Sequence, residues 1–148
     1  MSNDESITKD LVQVAEDGKV GYAKAADELA SSDRPELAAT FRQFSEQRAG
    51  FSAELRKLAG AYGDDVDEGS SAAAALHRGW MHVKDAVTGA GPESVLKTAG
   101  GGEEHAIKEY EKALAEEPSI DLRTVVERQL AEIRTAKGTV DALRAQTD

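Results

Sequence analysis

Phe41-Arg42-Gln43-Phe44-Ser45-Glu46-Gln47-Arg48-Ala49-Gly50-Phe51-Ser52-Ala53-Glu54-Leu55 is the stretch on which the reading of this chain turns. At about 100° per residue, Leu37, Phe41, Phe44, Phe51, Leu55 and Leu58 fall on one helical stripe. Arg48 lies in the middle of that stripe, with all three phenylalanines of the protein on its own face. A guanidinium cannot shed its charge, and burying an ion without a partner is very costly. Whatever faces Arg48 must therefore be acidic or rich in acceptors. Finding that partner tells how the helices assemble.

The chain has 148 residues, enough for a single domain with a real core spanning 1–148, and its composition is 40% hydrophobic, 5% aromatic and 31% charged. Helix-forming residues dominate, so the expected class is all-α. A net charge of -10 argues against nucleic acid, whose phosphates need a basic face, and disfavours an anionic membrane surface. With no cysteine, disulfides, thiolate metal sites and cysteine nucleophiles are all ruled out. The polar, acidic start Met1-Ser2-Asn3-Asp4-Glu5-Ser6 is unlike a signal peptide, and no apolar run approaches the roughly 20 residues that span a bilayer. The expected location is cytoplasmic.

Outward from the Arg48 stripe, the chain reads as helices separated by clear breaks. A first helix is expected from Ser6 to Ala30, with Ile7, Leu11, Val14, Ala15, Gly18, Tyr22, Ala25 and Leu29 on its inner face. Gly18 and Gly21 cost about 1 kcal/mol each against alanine, and on that face they let a neighbouring helix or a large side chain come close. Asp33 is the expected cap of the second helix, with Pro35 in its first turn and Glu36 three residues after the cap. That helix should run to Tyr62. The acidic stretch 63–70 reads as solvated linker, because its glycine and terminal glutamate do not match a calcium loop. A short third helix is expected over Ala72–Val87, carrying Leu76, Trp80, Val83 and Val87. A fourth should run from Glu93 or Ser94 to Glu116, with Gly100-Gly101-Gly102 as a potential kink. Pro118-Ser119 breaks and caps before a last helix over Ile120–Leu143. Short loops within each long hairpin, and a long crossover over about 63–92, match the ferritin-like form of a four-helix bundle.

The same angular count finds one polar residue near mid-length on three long inner faces. They are Arg48, Glu103 (among Leu96, Ala99, Ile107, Tyr110 and Leu114) and Gln129 (between Val126 and Ile133). The expectation is that these three meet. Arg48 and Glu103 would form a bidentate pair, Gln129 would satisfy leftover donors or acceptors, and the phenol of Tyr22 or Tyr110 would join them.

Asp17-Gly18 with Gly21-Tyr22, Gln47-Arg48, His77-Arg78-Gly79-Trp80, Gly102-Glu103 followed by Tyr110, and Glu127-Arg128-Gln129 together resemble a bacterial ferritin-like family catalogued as a domain of unknown function. The resemblance spans essentially the whole chain and implies a ferritin-like bundle without an established activity. Di-iron members of the broader superfamily use an inward glutamate on two helices and Glu-x-x-His on the other two. Here Glu46 is followed three positions later by Ala49 and Glu127 by Leu130, and none of His77, His82 and His105 has an acid three positions before it. Arg48 reads as the occupant of the space a metal pair would fill. The expected protein is metal-free, without a cofactor and non-catalytic. The alternative is a divergent iron or manganese carboxylate protein with oxidase or iron-handling activity, using Glu46, Glu103, Glu127 and His77 or His105 as ligands. The remaining partner class is another protein or a second copy, engaged through Trp80 and Met81 of the crossover helix.

Overall fold

Two short turns shape the bundle, each closed by a serine. The computed structural model describes residues 2–61 and 91–147, and within them the chain forms four helices, α1 (Ser2–Ala30), α2 (Glu36–Ala61), α3 (Gly91–Ala115) and α4 (Ile120–Thr147). Between α1 and α2, Ser32 Oγ donates to the Leu29 carbonyl at 2.6 Å and accepts the Arg34 N–H at 3.0 Å. The expected cap was Asp33, but Ser32 closes the turn, and Pro35 stands just ahead of the helix, its carbonyl accepting the Ala38 N–H at 3.1 Å. Glu36, expected to reach back to a cap, pairs with Arg34. Between α3 and α4, Glu117 takes a left-handed φ of 58°, which ends α3. Ser119 then caps α4, its Oγ accepting the Leu122 N–H at 3.4 Å and its carbonyl the Arg123 N–H at 2.8 Å.

α1 and α4 run longer than the sequence reading, and α3 lacks the expected kink. α1 starts at Ser2, ahead of Ser6, with Asp4 and Glu5 in a first turn whose dipole favours acids. Asp4 Oδ1 also accepts the Ser119 backbone N–H at 2.9 Å, tying the start of α1 to the α3–α4 turn. α3 runs unbroken through Gly100-Gly101-Gly102, with Ala99 before the glycines and Glu103 and Ala106 after them all buried on one continuous face. α4 continues past Leu143 to Thr147.

α1 packs against α2 and α3, and α3 against α4, whereas α2 and α4 meet along a sparse seam. The Asp4–Ser119 bond puts the start of α1 beside the end of α3, so α1 and α3 are antiparallel. At the other end, Glu28 and Leu29 line a cavity with Gly91, Pro92 and Val95. The end of α2 and the start of α3 therefore lie at opposite ends of the bundle, about 38 Å apart for a helix of 25 residues. The expected acidic linker, the short helix over Ala72–Val87, and His77, Trp80, Met81 and His82 lie outside the described residues.

The described core forms two apolar clusters. One gathers Ile7, Leu11, Phe51, Leu55, Tyr110, Leu122, Val126 and Ile133, the other Tyr22, Leu29, Leu37, Phe41, Leu96, Ala99 and Val140. Between them on α2 sits Arg48, and on α3 Glu103, at 2% and 0% exposure. Replacing Ser119 with alanine removes the α4 cap and should cost about 1 kcal/mol. Thermal unfolding should then fall by about 3 °C, and an unchanged midpoint would show that the Ser119 hydroxyl does not hold the α4 terminus.

Candidate functional site

Arg48 reaches Glu103 across the bundle axis. Its Nη1 donates to Glu103 Oε1 at 2.7 Å and its Nη2 to Oε2 at 2.6 Å, a fork-to-fork pair. The Tyr22 hydroxyl donates to the same Oε2 at 2.5 Å. Arg48 Nε donates to Gln47 Oε1 at 3.0 Å. The guanidinium carbon also stands 5.3 Å from the centre of the Tyr22 ring and 5.9 Å from that of Phe51, close enough for cation–π attraction.

The room for this arrangement comes from α1. A Cβ at Gly18 would stand 3.1 Å from Arg48 Cγ and 3.2 Å from its Nη1. The large side chain that the missing Cβ admits is thus Arg48 itself, lying across the α1 backbone. Any residue larger than glycine at 18 would push the arginine stem off its present path toward Glu103.

Electrostatics favour a closed pair. Burial works against the Arg48 charge, but the Glu103 carboxylate beside it more than offsets this, so its proton is held more tightly than usual. Burial, reinforced by the Glu103 charge, drives the Tyr22 phenol well above its ordinary range. Burial likewise raises Tyr110.

Tyr110 and Gln129 form a second polar group one heptad away. The Tyr110 hydroxyl donates to Gln129 Oε1 at 2.6 Å, and Gln129 Nε2 donates to Glu54 Oε1 at 3.0 Å and to the Phe51 carbonyl at 3.4 Å. Arg128 also bonds Glu54, closing a tie between α2 and α4. Gln129 thus satisfies Tyr110 and Glu54, and the structure gives it no bond to Arg48 or Glu103. The cause is register. In the antiparallel α3–α4 pair, Tyr110 stands level with Gln129, so the α4 residue level with Glu103 is the buried Ala136.

Glu54 was not singled out by sequence, and Gln47 entered only beside Arg48 in the family resemblance, without a role of its own. They lie seven residues apart on the flank of α2 that faces α4, and a polar pair at heptad spacing beside an apolar stripe is the signal that marks them. Among the described members of the alternative metal set, Glu46 and Glu127 are exposed while Glu103 is buried, so the three do not converge. His105 is exposed, and His77 lies outside the described residues. Among the described residues no group of three or more His, Asp or Glu side chains is arranged to hold a metal ion.

A protein-family model described as "Domain of unknown function (DUF2383)" matches residues 5–116. The match takes in Gly18, Tyr22, Arg48, Glu103 and Tyr110, and stops before Gln129. No curated protein and no solved structure matches the chain.

The raised phenols give a test in alkali. A phenol whose folded pKa lies above its unfolded value of about 10 contributes stability below that pH, and the contribution is lost as pH rises through the folded value. Tyr22 and Tyr110 should therefore ionise only together with unfolding, seen as phenolate absorbance and loss of helical circular dichroism at one common midpoint. Ionisation of both with helicity intact would show that the phenols are not buried against Glu103 and Gln129.

Proposed function

From the premise that the chain belongs to the family described as a domain of unknown function (DUF2383), we propose that the protein is a ferritin-like helical bundle that carries no metal and performs no catalysis, with its central polar pair serving assembly. The observation that carries this reading is the fork-to-fork bond between Arg48 and Glu103, buried between the two apolar clusters. A fixed cation at mid-bundle engages both oxygens of the inward glutamate. Two divalent ions beside it would face that positive charge, with too few carboxylates to neutralise them.

The ferritin-like relationship draws support from the helix order, since α2 and α3 are joined end to opposite end by one long connection. No helix among the described residues is long and apolar enough to cross a membrane. That, the acidic charge and the lack of cysteine favour a cytoplasmic setting. In it the bundle acts as a structural or interaction module.

The test is elemental analysis of protein produced with iron and manganese supplied and purified without chelator. The reading expects both metals far below one atom per chain, with the helical signal unchanged by chelator. Iron or manganese retained in stoichiometric amount and lost in a Glu103→Ala variant would overturn it in favour of a divergent carboxylate metal protein.

A further inference from the structure

The seam between α2 and α4 opens into a groove of about 350 Å³, lined by Phe44 and Gln47 on one wall and by Arg128, Glu132, Ala136 and Thr139 on the other. Its floor is part of an aromatic cluster. Phe44 lies 5.2 Å from the Tyr22 ring and 6.2 Å from Phe41, and Phe44 is only half-buried, so part of its ring faces the groove.

The chemistry of the groove is set by the amide of Gln47. Arg48 has only donors to offer, and its Nε bonds Gln47 Oε1 at 3.0 Å. That bond fixes which way the amide turns, because the opposite orientation would set donor against donor. The two N–H groups of Gln47 Nε2 are thereby turned away from Arg48, and they meet no acceptor among the described residues. The hydroxyl of Thr139 is occupied by the Thr135 carbonyl, and Arg128 by Glu54 and Glu132. An aromatic surface beside an oriented double donor that meets no acceptor among the described residues is a small-ligand arrangement, mostly apolar with one polar group that fixes orientation.

We propose that this groove binds a small planar molecule that lies on the Phe44 ring and accepts hydrogen bonds from Gln47 Nε2 through a carbonyl oxygen. The site is separate from the buried pair but depends on it, since Arg48 holds Gln47 with its donors outward. The inference does not rest on the protein being free of metal.

Acetophenone is a suitable probe, because it has a flat ring and one acceptor and no donor. Ethylbenzene matches its shape without the acceptor. In titrations followed by backbone amide resonances, acetophenone should shift Phe44, Gln47, Ala136 and Thr139 saturably at millimolar concentration. It should bind roughly 3- to 10-fold more tightly than ethylbenzene, the worth of a net hydrogen bond. Gln47→Glu keeps the acceptor for Arg48 and removes both donors, so it should erase that preference while leaving the melting temperature equal or higher. Thr139→Phe, which fills the groove from its rim, should abolish binding of both probes. Absence of saturable shifts at these residues would overturn the proposal. So would equal binding of the two probes by the wild type, or a preference that survives in Gln47→Glu.

Discussion

The bond between Arg48 and Glu103 is the constraint around which the bundle is built. Each partner alone would be a buried ion, worth several kcal/mol of lost hydration. Only a matched geometry offsets that cost, and the surrounding residues supply it. Gly18 leaves space for the arginine stem, Tyr22 gives the carboxylate a third bond, and Gln47 accepts the single N–H of Nε. The result links α1, α2 and α3 at one level, between the two apolar clusters. Leucine, alanine and phenylalanine can slide past one another by a turn with modest loss, whereas a fork-to-fork ion pair cannot. The role proposed for the pair is therefore specificity of assembly more than net stability.

Much of this was legible in the sequence, for identifiable reasons. Helical periodicity placed Arg48 and Glu103 on inner faces, and a permanent charge on such a face demands a partner. Pro118-Ser119 marked the α3–α4 turn, because proline and a small hydroxyl residue each have one strong local preference there. The position of Gln129 was harder to see. An inner face says that a residue points inward, not at which level, and level is set by the register of α3 against α4. A shift of one heptad separates a three-way centre from the two groups observed, Arg48 with Glu103 and Tyr110 with Gln129. Asp33 illustrates the same limit at short range. Both Ser32 and Asp33 are good capping residues, and only the path of the chain after Leu29 selects the serine.

The flank of α2 that faces α4 was the least visible part. Gln47 and Glu54 look like ordinary surface polar residues when taken singly. Their roles come from what stands behind them. Arg48 orients the Gln47 amide, and Gln129 and Arg128 converge on Glu54. The seam they line is held at one end by these polar ties and is open at the other, where Phe44 meets small residues of α4. Among the described helices three interfaces are close and one is sparse, and the recess lies along the sparse one.

The most direct test of the central claim is a double-mutant cycle in which Arg48→Met, Glu103→Met and the double variant are compared by urea unfolding. A buried pair that sets assembly predicts that each single variant loses about 3–5 kcal/mol by stranding the other charge, and that the double variant recovers most of that loss. Two small, additive losses would contradict the account, because they would mean that Arg48 and Glu103 each reach water and do not depend on one another.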